Sequence, residues 1–496
     1  MDVLSILTLF FSFLISVLFI SSYWRKHKKY QNLPPGPTPL PLLGNLNYVT
    51  RDGKHFRELS QKHGPVFTIW QLSEPIVVLC GYDVVKDALI NHADQFSGRP
   101  YLAVVDFYSQ GYSFPNVHGL RWSQLRRFTL TSLRNFGMGK TTMEERVLKE
   151  GQNLLQAVAD TGGKPFNPLN LIGCAIGNIV STMLLGEQFQ YKDKKLQDLI
   201  TTTRKHILNT HSRLHQFGNM FPILLNLPGL RQKIFREATE MTSFVKEYIQ
   251  SHKKNLNINS PKDFIDFFLL KMKEEEPDAD TNFSEKTLLW TIVALLAAGT
   301  ETTTSTLKYC LTVMAHYPEV QEKVQQEIDE VTGSVRLPGI MDRAQMPYTN
   351  AVIHETQRLM DLAPIAHYHA VTQDTEFRGY TLPKGTRVIP FISSVLNDPT
   401  QWETPDDFNP NHFLDDKGQF RARPAFMVFS AGKRICAGEN LARMELFLLF
   451  CSLMKQFTFS RVPETNPYKG KALRDNKWPL IWSSPLCAVP RNTSSK

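Results

Sequence analysis

A large, mainly α-helical domain with small β-sheets, preceded by one transmembrane helix, is the fold class this 496-residue sequence predicts. Three observations carry that expectation. Long stretches place apolar residues at the 3.6-residue helical period. The β-like runs are short. The chain starts with an uncharged apolar span from Val3 to Trp24.

That span is about long enough to cross a ~30 Å hydrocarbon core at ~1.5 Å per residue. Asp2 precedes it and a basic run, Arg25 to Lys29, follows it. A cleaved leader would show a basic start and a shorter apolar core. The competing reading is a buried core helix. As a single-pass anchor, the span puts the N-terminus in the lumen and everything after Lys29 in the cytosol by the positive-inside rule. In that topology the glycosylation sequons at Asn282 and Asn492 stay silent. Pro34, Pro35, Pro37, Pro39 and Pro41 then stop both helix and central strand. Residues 1–24 thus read as anchor, 25–45 as basic flank and semi-rigid proline hinge, and 46–496 as the main domain.

That domain shows no repeat, low-complexity segment or second linker. Helices are expected over HFRELSQKHG (55–64), RWSQLRRFTLTSLR (121–134), EERVLKEGQNLLQAVADTG (144–162) and LQDLITTTRKHILNTHSRL (196–214). The stretch from Thr287 to Tyr317, residues 319–333 and residues 439–457 read the same way. VFTIWQL and PIVVLCG read as early strands, and residues 375–392 as a hairpin-like patch.

Composition bounds the function. Hydrophobic content of 42% and charged content of 21% are those of an ordinary globular protein. The net charge is +9, but the cations form no single basic block. A basic face for an acidic protein or an anionic membrane accounts for it without nucleic acid. The six cysteines (Cys80, Cys174, Cys310, Cys436, Cys451 and Cys487) are scattered, with no C-x-x-C pair. They read as reduced thiols, and zinc held by cysteine pairs is not expected.

One of these thiols stands apart. In FSAGKRICAG, Cys436 lies in a glycine-rich loop after Lys433 and Arg434, just before a long apolar helix. Unpaired N–H groups and the dipole at that helix start favour an anion. The two cations are expected to add to this, so the thiolate form that binds metal is favoured. Arg434 is suited to pairing with a carboxylate or propionate. The competing reading is an inert buried cysteine.

The ordered set Phe429, Gly432, Arg434, Cys436 and Gly438 resembles the haem-binding signature of the cytochrome P450 superfamily. The resemblance implies haem b bound by the Cys436 thiolate, which pushes electron density to iron and favours O–O cleavage. Other parts follow in order. Glu355 and Arg358, at i and i+3, resemble the family's structural E-x-x-R pair. His412 stands where the family usually has an arginine of the same network, which leaves that third member open. Trp122 and Arg126, at i and i+4, resemble haem-propionate contacts, as do Arg99 and His369. Ala294, Ala298 and Thr302 recur every fourth residue on one helical face, small enough to leave room for a flat cofactor and a substrate. Glu301 and Thr302 resemble the family's acid–alcohol pair for proton delivery. The alternative is that Thr302 only packs and Glu301 is solvated.

The resemblance covers essentially the whole chain and is strongest to the vertebrate microsomal family 2 enzymes. It implies a monooxygenase of the endoplasmic reticulum membrane that uses O2 to oxidise a lipophilic fatty acid, steroid or xenobiotic. Electrons come from NADPH through the NADPH-cytochrome P450 reductase, with cytochrome b5 as a further partner. Arg121, Arg126, Arg127, Arg134, Lys140, Lys433 and Arg443 match the family's proximal docking face. Two other classes stay open: a haem-thiolate isomerase or dehydratase needing no reductase, and a non-enzymatic haem-binding membrane protein. Substrate-contacting segments map to residues 101–119, 203–230, 362–368 and 476–482, which are aromatic and aliphatic. Within them Asn219 to Leu230 either dips into the membrane or is ordinary core.

Overall fold

The computed structural model describes residues 13, 30–40, 43–45, 48, 53–137, 141–210, 212–275, 281–333, 336–462, 470–475 and 481–491. Expectations placed on residues 3–24 (Phe13 apart), 25–29, 41, 140, 476–480 and 492 lie outside them. Among the described residues, no helix is long and apolar enough to cross a membrane. The chain divides into two compact units.

The first unit comprises Met1–Pro100 and Ile365–Phe391. Helix α1 (Lys54–His63) precedes strands β1 (Val66–Gln71) and β2 (Glu74–Leu79), which pair antiparallel from Val66↔Leu79 to Gln71↔Glu74. Strand β3 (His369–Ala370) is followed by β4 (Thr375–Phe377), β5 (Tyr380–Leu382) and β6 (Arg387–Pro390). Residues 375–392 are only half a hairpin. β4 and β5 close through Arg378 (φ 52°) and Gly379 (φ 84°), whose two positive φ values suit a tight antiparallel turn. β6 leaves that hairpin and runs parallel to β2, giving a sheet ordered β1-β2-β6-β3. A strand flanked on both sides has little water to face, and β2 is buried from Pro75 to Leu79. Phe56, Phe67, Ile76, Val78, Ile389 and Phe391 form this unit's core.

The second unit comprises Tyr101–Pro364 and Ile392–Lys496 and holds the long helices. They are α2 (Gly119–Asn135), α3 (Thr141–Ala159), α4 (Leu169–Leu185), α5 (Lys194–Thr210) and α6 (Pro228–Asn255). Then follow α7 (Phe264–Glu274), α8 (Glu285–His316), α9 (Pro318–Thr332), α10 (Pro347–Met360) and α11 (Glu439–Gln456). Strands β7 (Phe457–Arg461) and β8 (Leu486–Pro490) pair antiparallel at the end of the chain.

Two helices organise this unit. In α8 the Ser284 hydroxyl caps the start by accepting from the Thr287 N–H at 3.3 Å. Pro318, which has no N–H to give, opens the next helix. Ile292, Leu296, Leu307, Leu311 and Met314 of α8 share one core with Leu446, Phe450 and Leu453 of α11. Both helices are buried on nearly every face, as expected of central helices. The helix expected over 196–214 breaks in two. Ser212 ends the continuity by accepting from the His215 N–H at 3.1 Å, which caps a second short helix, Arg213–Met220.

Candidate active site

The Cys436 loop is shaped by its own backbone. Ser430 (φ 63°) and Gly432 (φ 69°) take the left-handed conformation, where glycine is unstrained. The Ile435 N–H then donates to the Gly432 carbonyl at 3.1 Å and the Cys436 N–H to the Phe429 carbonyl at 3.0 Å. Helix α11 starts three residues later. Gly438 lies beside the thiol, where a Cβ would sit 4.0 Å from Sγ, an ordinary contact. All six cysteines are free thiols, as their scatter implied, and of these Cys436 alone is exposed.

Its electrostatics differ from expectation. The surrounding protein pushes the recessed thiol above its ordinary value, and the Glu439 carboxylate adds to that. Backbone N–H groups of Gly438 and Glu439 oppose it, as the helix start led us to expect, and so does Arg126. Arg126, from a distant part of the chain, is thus a cation that acts on the thiol. Arg434 is turned away, with its guanidinium 3.9 Å from the Trp122 ring centre and an N–H donated to the Val117 carbonyl at 2.9 Å. Arg126 reaches in from α2, donating to the Ile435 carbonyl at 2.6 Å, with the Trp122 ring 5.8 Å from its guanidinium. Trp122, Arg126, Arg434 and Cys436 are thus brought together. Phe429 lies beside them, under the Arg443 guanidinium at 5.0 Å.

On α8 the predicted small-residue face is real. Ala294 is half-buried, and Ala298 and Thr302 are exposed in the middle of a helix that is otherwise buried. The Thr302 hydroxyl donates to the Ala298 carbonyl at 2.6 Å. Glu301 is buried on a different side and does not bond Thr302. Its Oε1 accepts from the Ser305 hydroxyl at 3.1 Å, and its Oε2 accepts from Arg204 Nε on α5 at 3.3 Å. Burial raises the Glu301 carboxyl above its usual range, while Arg204 and Ser305 pull the other way.

Glu355 and Arg358 form a closed network. Both side chains are 0% exposed. Arg358 donates to the two Glu355 oxygens at 2.8 and 2.7 Å, and to the carbonyls of Leu396, Pro405 and Asp407 at 2.8–2.9 Å. The Asn409 N–H adds a bond to Glu355 Oε1 at 2.9 Å, and His412 Nδ1 meets Oε2 at 3.1 Å. The histidine at the usual arginine position is therefore part of the network.

Arg99 and His369 lie in the first unit and close one local structure there. Arg99 donates to the His367 and Tyr368 carbonyls at 3.2 and 2.8 Å, and His369 Nδ1 meets the Phe96 carbonyl at 2.6 Å. Sequence reasoning missed Arg204, Asn409 and Glu445. Burial raises the Glu445 carboxyl to about 8 although Thr303 bonds it. Arg204 stands 97 residues from its carboxylate, so no local pattern pointed to the pair.

The donor set suits a haem: an accessible thiol between glycines, guanidiniums beside a tryptophan, and an exposed strip of small side chains. Comparison with known proteins agrees. The Cytochrome P450 family model matches residues 34–474. Cytochrome P450 2G1 of Oryctolagus cuniculus is 42% identical over 463 residues, covering 92% of this chain and 94% of the relative. Cytochrome P450 2C8 of Homo sapiens is 40% identical over 479 residues, covering 96% and 98%. Cytochrome P450 2B4 of Oryctolagus cuniculus is 43% identical over 458 residues, covering 91% and 93%. The chain belongs to the cytochrome P450 family, and it is a haem-dependent monooxygenase.

Proposed function

We propose that this monooxygenase is anchored in the endoplasmic reticulum membrane by residues 1–24 and spaced from it by 25–45. It oxidises a neutral or amphipathic lipophile with electrons from NADPH through the NADPH-cytochrome P450 reductase, with cytochrome b5 as a second donor. The observation that carries the reading is the accessible Cys436 thiol in its glycine-flanked loop, with Arg126 against it.

Cys436 would hold the haem iron through its thiolate. Arg126, Trp122 and Arg434 would hold the haem propionates, and Arg99 and His369 match further propionate-binding positions of the family. When bound, the haem supplies oxygen activation. The chain's residues bind, orient and manage protons. Ala298 leaves the cofactor space, and the Thr302 hydroxyl holds a proton or water on the exposed face of α8. Glu301 is the acid behind it.

The aromatic group of the second unit, where Tyr108 lies 5.1 Å from Trp290 and 5.2 Å from Phe235, supports a lipophilic substrate. Phe217, Ile223 and Leu227 are more than half exposed, which favours contact of this segment with lipid over a place in the core.

The test is Thr302→Ala. Reductase-supported NADPH consumption should continue, while product per NADPH falls and hydrogen peroxide rises. A positioned general acid–base group typically contributes ~10²–10⁴-fold, and water recovers part of that. An unchanged ratio would make Thr302 a packing residue. Product profiling against fatty acids, steroids and drugs identifies the substrate.

A further inference from the structure

Arg443 of α11 is a half-buried cation with contacts on three sides. Its Nε and one terminal nitrogen both bond Glu439 Oε1 at 2.9 Å. The other terminal nitrogen meets His354 Nε2 of α10 at 2.7 Å. The guanidinium lies 5.0 Å from the Phe429 ring centre and 5.6 Å from that of Phe426. Two of these partners border the Cys436 thiol. Phe429 accepts the Cys436 N–H on its carbonyl at 3.0 Å. Glu439 opens α11 three residues after Cys436, and it is the acidic residue nearest to that thiol along the chain.

The protonation of His354 follows from its partners. A guanidinium only donates, so Nε2 accepts from Arg443. The Asn350 carbonyl only accepts, and it lies 2.7 Å from Nδ1, so Nδ1 carries the one ring proton. The imidazole is therefore neutral. Its surroundings agree: the residue is 5% exposed, with the rings of Phe413, Phe420 and Phe426 centred 4.7–5.5 Å away. Burial, with the Arg443 charge adding to it, holds the histidine down to about 3. A second guanidinium, Arg343, lines the same cleft and donates from Nε to Asn350 Oδ1 at 3.0 Å. It repels Arg443. With a like charge close by, Arg443 keeps its place through acceptors that hold it there, and His354 is the one that α10 provides.

We propose that His354 is a positioning residue for the haem site: its neutral Nε2 holds Arg443 on Glu439 and beside Phe429, so that the carboxylate following Cys436 stands paired next to the thiolate and the bound haem is easier to reduce. This rests on the reading of Cys436 as the haem thiolate. An uncovered negative charge beside an iron–thiolate centre favours the oxidised state, and groups that touch no ligand set the potential in this way. The Glu439 carboxylate already weighs against the thiolate. Arg443 offsets it, and His354 fixes Arg443. The role is directed inward and needs no partner protein, which separates it from a docking role of Arg443.

The test is a spectroelectrochemical titration of the full-length, haem-loaded protein without reductase or substrate. His354→Leu and Arg443→Met should each move the haem reduction potential to more negative values, and Glu439→Gln should move it to more positive ones. His354→Gln, whose amide oxygen can accept from Arg443, should stay near wild type. In His354→Leu/Glu439→Gln most of the His354→Leu shift should vanish, because no carboxylate is left to uncover. A histidine that only packs would give a shift that persists in that background, and this result overturns the proposal. So does a His354→Leu potential equal to wild type while Arg443→Met is shifted, since Arg443 then finds Glu439 unaided. Should His354→Leu not fold, His354→Asn replaces it with the same expectation, as its shorter amide falls short of Arg443. The carbon monoxide-bound ferrous spectrum of wild type is recorded first. Absence of the thiolate-type band there defeats the reading of Cys436 and this role with it, whereas its presence with unshifted variants overturns the role of His354 alone.

Discussion

Two buried carboxylate–guanidinium pairs lie in the same unit, and they are built differently. Glu355–Arg358 is closed: two short bonds between the partners, three carbonyls on the arginine, and a backbone N–H and His412 on the glutamate. Glu301–Arg204 is open: one bond at 3.3 Å, with a guanidinium nitrogen left over. A buried charge is costly unless its partners are in place. The closed pair meets that cost with geometry that permits no movement, which suits a brace tying α10 to residues 396–412. The open pair leaves a carboxyl whose proton and orientation can change, which suits chemistry. Residue type is the same in both, and the open pair is the less deeply buried. The number and length of the bonds separate structure from function.

The comparison breaks most visibly at the closed pair. Glu355→Gln leaves the Arg358 charge buried without its counter-ion, a change that typically costs ~3–5 kcal/mol. Recovery of folded, haem-loaded protein should collapse, and the denaturant midpoint of any that folds should fall. His412→Ala probes the edge of the same network. It removes the contact to Glu355 Oε2 and the acceptor for the Thr404 N–H at 3.2 Å, a loss of ~1–3 kcal/mol that leaves the arginine fork intact. Its denaturant midpoint should lie between those of wild type and Glu355→Gln.

A third buried pair, His252–Asp263 at 2.8 Å, joins the end of α6 to the start of α7 and sharpens the contrast through pH. Burial lowers the His252 value, but the Asp263 hydrogen bond and charge outweigh it, and the net direction is up. Such a group contributes stability that is fully present below its unfolded value and lost as pH rises through the folded one. The melting temperature should therefore decline as pH rises above the ordinary histidine value of about 6.5 and through the raised folded one, and His252→Gln should flatten that decline.

Much of this was legible in the sequence for local reasons. The 3.6-residue period marked α1, α2 and α3, and the hairpin-like run over residues 375–392 contained the β4–β5 hairpin. The spacing of Ala294, Ala298 and Thr302 marked the one open face of α8. The illegible parts are non-local. Helix α4 is apolar nearly all round, so it shows no amphipathic stripe to read. Arg434 is near Cys436 in the chain and stacks on Trp122, while Arg126 reaches the thiol from α2, which no local pattern shows. Arg204 meets Glu301 from 97 residues away, and Gly173 lets Ile200 of α5 pack close to α4, where a Cβ would come within 3.0 Å. Chain neighbours suggest which charges are available, and packing decides which of them meet.

The central claim is that the exposed, glycine-flanked Cys436 is the thiolate that holds the haem. The most direct measurement is the Soret spectrum of the carbon monoxide-bound ferrous protein, wild type against Cys436→Ala. Wild type should give the thiolate-type band, and the variant should lose it. A thiolate-type band that persists in Cys436→Ala would contradict the assignment.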